Sequence, residues 1–333
     1  MTTVQRLKAR AGFPLAGSLA VLHLPRATYF RWAVAGGKPP RPPAVVPHAH
    51  WLTPAERALV IAGARAHPEL GATRLAYQLA DEGVVAVSPS SAYTILKAAG
   101  LAGRWQPAKV AHRTGFVQPT RPHEQWHMDI AYLNILGTQY FLIGVLDGFS
   151  RAILHHDIRR TMTTTDVEIV LERAHATLPV GTPPPRLITD NGSQFVSAQF
   201  REYLRAIGLA HSRTRIGHPQ SNGKYERWNQ TAKVECVRRM ALGGRADPDA
   251  LGEARQVFGR YVAYYNTARP HSALHYLTPA DYLRGPAHVA ARLAERATTY
   301  RNAAIARRAY WSTHRSTAST TLLMRHPESL ISA

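Results

Sequence analysis

Three strand-like runs in immediate succession, QWHMDIAYLNI from residue 125, QYFLIGVLD from 139 and SRAILHHDI from 150, constrain this chain more than any other feature. Each is short, rich in β-branched and aromatic residues and bounded by turn residues, with Asp147-Gly148 marking the corner between the second and third. Downstream the pattern changes to a helix over 165–178, a strand RLIT ending at Asp190, a helix near 197–207, a strand over 209–213 and a long helix containing Glu226. A meander of three antiparallel strands followed by strand and helix in alternation predicts an α/β core, a mixed five-stranded sheet flanked by helices.

Upstream the chain is punctuated by helix signals. Residues 14–34 predict two short helices split near His23, the second opened by Pro25 and closed by Gly36-Gly37. KPPRPPAVVP at 38–47 is an extended linker in composition. Thr53 and Glu56 form a capping box with Pro54 at the first helical position, and that helix should end near His67-Pro68. Two shorter helices follow, one stopping at Gly83 and one running from Ser88-Pro89 to Gly100, with Leu75, Leu79, Ile95 and Leu96 available for a shared core. The pair has helix-turn-helix proportions, which would put Ser90, Ser91 and Lys97 near a DNA groove; an ordinary helical hairpin has the same pattern. The basic connector to residue 124 is either a bridge across DNA phosphates or a plain solvated linker.

These boundaries divide the 333 residues into a helix-turn-helix-like segment (1–37), a Pro-rich linker (38–50), a helix-turn-helix module (51–102), a basic linker (103–124), a catalytic core (125–240), a helical segment (241–285) and a basic tail (286–333). The tail reads equally as an oligomerisation helix, a basic DNA arm or disordered chain. With 41 Lys and Arg against 21 Asp and Glu, the formal charge is +20, spread from Arg6 to Arg325, and favours a polyanionic partner such as nucleic acid. An Arg- and Ala-rich proteome bias would give a similar composition. Cys236 is the single cysteine, so an intramolecular disulfide and a Cys-rich zinc cluster are both excluded, in keeping with a reducing cytoplasm. The longest apolar run, YFLIGVL, falls far short of the ~20 residues a membrane helix needs. The apolar stretch over 11–24 is broken by Gly12, Pro14 and Gly17 and does not read as an export signal.

In so acid-poor a chain three carboxylates stand out: Asp129 inside the first strand, Asp190 just past a strand end in a DNG turn, and Glu226 on the long helix, with 35 residues between the last two. Asp129 shares a strand face with His127 and Ala131. A carboxylate buried unpaired in a central strand costs several kcal/mol, so it calls for a cation or a donor. Asp190 alone could be turn chemistry and Glu226 alone a solvated helix face. In one chain order on one sheet, the three suggest divalent cations and phosphoryl transfer on DNA. Around Glu226 lie Lys224, Arg227, Asn229 and Lys233; positions 226, 229, 230 and 233 share one helical face.

TDNGSQF and HPQSNGKYERWNQTAK carry a specific likeness. Residues 125–240 resemble the integrase core of bacterial insertion-sequence transposases and retroviral integrases, the D-D-E branch of the ribonuclease-H-like fold, down to the basic residue seven positions after the Glu, here Lys233. The likeness extends over about 12–283 through LPRATYFRW, the helix-turn-helix pair and YNTARPHSALHYLTP. It implies Asp129, Asp190 and Glu226 as catalytic metal ligands for two Mg²⁺ ions, with Mn²⁺ as a substitute, and in-line attack without a covalent enzyme intermediate. Water would cleave at an element end and the freed 3′-hydroxyl would attack target DNA. Asn191, Gln194, Gln220, Asn222, Lys224, Arg227, Asn229 and Lys233 are then expected at DNA or in support of the site. The resemblance further implies double-stranded DNA partners, a homo-oligomer on DNA and a place in the bacterial cytoplasm with the nucleoid. The upstream helix-turn-helix segments, in place of a His-Cys zinc module, favour the bacterial branch. Two other readings are a domesticated DNA-binding regulator, disfavoured by the intact acids, and a ribonuclease-H-type nuclease that does not join strands.

Overall fold

A computed structural model describes residues 12, 14–34, 48, 50–102, 118–135, 137–214, 223–237 and 250–314. Gln220, Asn222, the Pro-rich stretch and most of the basic connector lie outside the described residues. The chain divides into two units, residues 52–305 and residues 1–51 with 306–333.

The larger unit begins with α3 (Pro54–Ala66), whose first turn is closed as expected: the Thr53 hydroxyl accepts from the Glu56 amide at 3.2 Å, and the Glu56 carboxylate accepts from the Thr53 amide at 2.8 Å. α4 (Ala72–Asp81) and α5 (Pro89–Ala98) close a three-helix module around Val60, Leu75, Leu79, Ile95 and Leu96. Gly83 at φ 70 supplies the left-handed residue that ends α4.

The sheet is built from β1 (Gln125–Ile135), β2 (Thr138–Asp147), β3 (Ile153–Arg159), β4 (Arg186–Thr189) and β5 (Ala210–Arg213), in the order β3-β2-β1-β4-β5. β1, β2 and β3 pair antiparallel; β4 runs parallel to β1, and β5 parallel to β4. This is the ribonuclease-H-like arrangement expected from the sequence. α6 (Thr164–His175), the single turn α7 (Ser193–Val196) and α8 (Ala198–Ala206) complete the alternation.

Strand alternation sorts the sheet into two cores. Trp126, Met128, Ile143 and Val145 face α6 and α8, where they meet Val170, Leu171, Phe200 and Leu204. Ala131, Leu133, Ile135 and Leu142 face the other way, against Tyr225 and Trp228 of α9 (Gly223–Glu235) and Phe258 of α10 (Ala250–Thr267). α9 is thus held by an aromatic side to the face of β1 that carries Asp129.

A 3₁₀ turn (Ser272–Leu274) and α11 (Pro279–Leu283) follow, and then α12 (Pro286–Thr313). The first part of the tail is therefore one long helix of 28 residues, opened by Pro286 after Gly285 at φ 97. Residues 315–333 lie outside the described residues. In the smaller unit, α1 (Leu15–Val21) and α2 (Arg26–Val34) are parted at His23, φ 47, and the Trp311 indole donates to the Trp51 carbonyl at 2.7 Å. Among the described residues no helix is long and apolar enough to cross a membrane.

Candidate active site

Asp129 sits midway along β1, half-buried, one Oδ1 accepting from the Ile130 amide at 2.8 Å. β1 and β4 run in register, His127 beside Ile188. Two residues further along each strand direction the chain reaches Asp129 and Asp190, so the parallel ladder delivers both aspartates to one level of the sheet. Glu226 comes from the other direction. It is exposed on the first turn of α9, where a carboxylate also suits the helix dipole, while Tyr225 and Trp228 bury the opposite side of the helix.

The electrostatics register the convergence. Burial pushes the Asp129 carboxyl up to about 7, and the charges of Asp190 and Glu226 push the same way; the Ile130 amide and the Lys233 ammonium pull it back. Among the described residues no three His, Cys, Asp or Glu side chains already stand in ion-holding geometry. The donor set nevertheless suits a hard divalent cation: carboxylates from β1, the DNG turn and α9, close enough that Asp190 and Glu226 both act on Asp129.

The DNG turn is locked from within. Asp190 Oδ1 accepts from the Gly192 amide at 2.9 Å, and Asn191 Nδ2 donates to the Thr214 carbonyl at 2.8 Å, tying the turn to the end of β5. A Cβ on Gly192 would meet Asp190 Oδ1 and Gln194 Oε1 at 3.2 Å, a close fit that glycine leaves open. Asn191 is thus bonded within the fold to Thr214, and Gln194 lies beside the turn.

On α9 the expected face is present: Glu226 and Lys233 are exposed and Asn229 is half-buried, its Oδ1 enclosed without a hydrogen-bond partner. Arg227 is exposed about 100° round the helix from Glu226. Lys224 departs from the sequence expectation of a DNA contact. It lies about 200° from Glu226, and its Nζ donates to the Gly148 carbonyl at 2.9 Å, where burial and the Arg151 charge bring it down to about 7. It is spent on the β2–β3 corner.

In the helical module, Ser90 and Lys97 are exposed on α5. Ser91 is half-buried and taken into the helix cap, its amide and hydroxyl both bonded to Ser88 Oγ at 3.1 and 2.9 Å. Tyr93 and Thr94, exposed on the same stripe as Ser90 and Lys97, were not singled out from sequence; their three- and four-residue spacing from both was the available signal. Also missed was Gly144, the register partner of Asp129. A Cβ there would stand 2.7 Å from the hydroxyl of Tyr225, so this β2 glycine leaves room for the tyrosine hydroxyl at the position paired with Asp129.

Family models described as integrase core domain match residues 119–219 and 207–279. Curated relatives include the transposase for insertion sequence element IS904 of Lactococcus lactis subsp. lactis, 33% identical over 49% of this chain and 62% of the relative. Transposase InsD for insertion element IS2A/D/F/H/I/K of Escherichia coli is 29% identical over 61% of this chain and 68% of the relative. The chain thus aligns with about three fifths to two thirds of the length of these relatives. Among solved structures, the HTLV-2 integrase catalytic core domain in complex with magnesium aligns at TM-score 0.40 and 20% identity, covering 49% of this chain and 97% of that one. Residues 119–279 are thus similar to the integrase core domain, and about half to three fifths of the chain is similar to insertion-sequence transposases.

Proposed function

We propose that this protein is a DNA transposase that cleaves at the ends of a mobile element and transfers the resulting 3′-hydroxyl into target DNA. The observation that carries the reading is that the β1–β4 register brings Asp129 level with Asp190, with Glu226 near enough to act on the same carboxyl, in a stretch similar to the integrase core within a chain of net charge +20. Asp129, Asp190 and Glu226 would hold divalent cations, Mg²⁺ or Mn²⁺. Such a pair, when bound, activates an attacking oxygen and stabilises the leaving one.

The chain's own residues do the positioning. The β1–β4 ladder and the DNG turn fix the two aspartates, and α9 brings Glu226 over them. Lys233, close enough to Asp129 to lower its pKa, lies where a phosphate beside the acids would be met, with Asn229 on the same helical face. Ser90, Lys97 and the exposed Tyr93 and Thr94 offer a face for duplex DNA. Cleavage adds water across one phosphodiester; joining exchanges one phosphodiester for another, so the second step needs no energy source. Two ends must be joined, which requires two active sites or one used twice and favours a homo-oligomer on DNA.

The test is cleavage and joining of linear DNA carrying the gene's own flanking sequence, with Mg²⁺ or Mn²⁺, by wild type and Glu226→Gln. Metal-dependent joining by wild type alone is expected, with DNA binding nearly unchanged in the variant. Turnover by Glu226→Gln would remove that residue from the metal set, and hydrolysis without joining would reduce the protein to a nuclease.

A further inference from the structure

The helical module is not merely strung ahead of the core. One stripe of α4, formed by Arg74, Tyr77 and Asp81, is spent on elements that lie more than 150 residues further along the chain, beyond the catalytic sheet. Arg74 Nη1 meets Glu235 Oε1 at 3.3 Å, and Glu235 is the last residue of α9, the helix that carries Glu226. The same carboxylate receives a bidentate pair from Arg269 at 2.7 Å for each bond. Asp81 takes a second bidentate pair from Arg296 of α12, at 2.6 and 2.5 Å, with both side chains largely enclosed at 8% and 16% exposure.

The receiving turn is shaped for this. His275 and Tyr276 both hold positive φ, 52 and 60, an unfavourable conformation for non-glycine residues. Arg296 Nη1 donates to the His275 carbonyl at 2.6 Å, and the Tyr276 ring stacks on Tyr77 at 4.4 Å, with the Arg296 guanidinium 4.9 Å from the Tyr77 ring centre. Buried bidentate arginine pairs are geometrically exacting and add little net stability, which makes them better suited to fixing an orientation than to holding mass together.

From these contacts we infer that the Arg296–Asp81 and Arg74–Glu235 pairs are positioning residues that set which phosphate is cut, by holding α5 at a fixed place relative to Asp129, Asp190 and Glu226. The inference rests on the transposase reading above. Its scale is decided by simple lengths. One nucleotide advances ~3.4 Å along duplex DNA. A flexible coil as long as the 22 residues 103–124 would have a root-mean-square span of ~25 Å, enough to blur the cut over several phosphates. A coil of that length would leave the register open; the docked stripe of α4 fixes it.

Two readouts test it. Cleavage products on end DNA are mapped at single-nucleotide resolution for wild type, Asp81→Asn/Arg296→Gln and Arg74→Gln, after thermal melts show that each variant folds. Both variants should bind end DNA within about three-fold of wild type, while the share of product at the main phosphate falls at least two-fold and cuts spread to its neighbours. Sharp cutting at reduced yield would overturn the proposal and leave these pairs a structural role only. Independently of any cleavage, spin labels at Ala98→Cys and Arg201→Cys in a Cys236→Ala background report the distance from α5 to the core. The distribution should be narrow with the pairs intact and at least twice as wide in Asp81→Asn/Arg296→Gln. An unchanged width would refute the strut even if wild type failed to cut, a failure that would count against the transposase reading instead.

Discussion

Replacing Asp129 with Asn should make the metal-free protein more stable, although it removes a residue assigned to catalysis. An ordinary unfolded-state aspartate titrates near ~3.9, whereas burial and two neighbouring carboxylates hold Asp129 up to about 7 in the folded protein. Because the folded pKa is raised, the penalty is absent below pH ~4, where the carboxyl is neutral in both states. It grows as pH rises between ~4 and ~7 and is constant above that. At ~1.4 kcal/mol per unit the full cost is at most ~4 kcal/mol, and solvent reaching the half-buried carboxyl should reduce it to ~1–3 kcal/mol. For a domain of this size that corresponds to a rise of ~2–10 °C in melting temperature. The amide keeps an oxygen for the Ile130 N–H, so the change isolates the charge.

Melting curves at pH 5 and pH 8 in a chelator, for wild type and Asp129→Asn, measure this difference. The variant's advantage should be larger at pH 8, and millimolar Mg²⁺ should raise wild type while leaving the variant nearly unmoved. Equal curves at both pH values, or equal stabilisation of both proteins by Mg²⁺, would refute the argument that the three acids share one unrelieved negative site.

Gly144→Ala should destabilise by ~1–3 kcal/mol, because its Cβ would stand 2.7 Å from the Tyr225 hydroxyl; Tyr225→Phe should recover much of that loss in denaturant melts, and no recovery would mean the clash lies elsewhere. Lys97→Ala should lower the salt slope of DNA binding by ~0.9, whereas Lys224→Ala should leave it unchanged, since Lys224 is bonded to Gly148. A lowered slope for Lys224→Ala would restore it to the DNA surface.

What was legible in the sequence was local or periodic. The capping box at Thr53, the corner at Asp147-Gly148 and the alternation of Trp126, Met128 and Ile130 against Asp129, Ala131 and Leu133 are each set within a few residues of chain. The meander of β1 to β3 and the mixed sheet were legible as well, whereas the placing of β4 and β5 beyond β1 was read only from the structure. The bond of Lys224 to Gly148 was not legible because a helix face can be assigned only once the phase of the helix against the sheet is known, and burial of Tyr225 and Trp228 sets that phase. The helical start of the tail was hidden because the apolar residues of α12 follow no clean period. The stripe Arg74, Tyr77 and Asp81 looked like an ordinary solvated face; its partners, Glu235, Tyr276 and Arg296, lie 161 to 215 residues away and leave no local trace.

The three acids do not share one kind of support. Asp129 stands on β1 and Asp190 just past the end of neighbouring β4, while Glu226 depends on how α9 packs through Trp228 against Phe258 and the Asp129-bearing face of β1. A rolling of that helix by a fraction of a turn would withdraw one acid and leave the sheet intact. Activity should therefore fade at a lower temperature or denaturant concentration than the spectroscopic signal of the fold, and replacements beneath the helix, at Phe258 for instance, should tune the rate without touching a single group that contacts DNA.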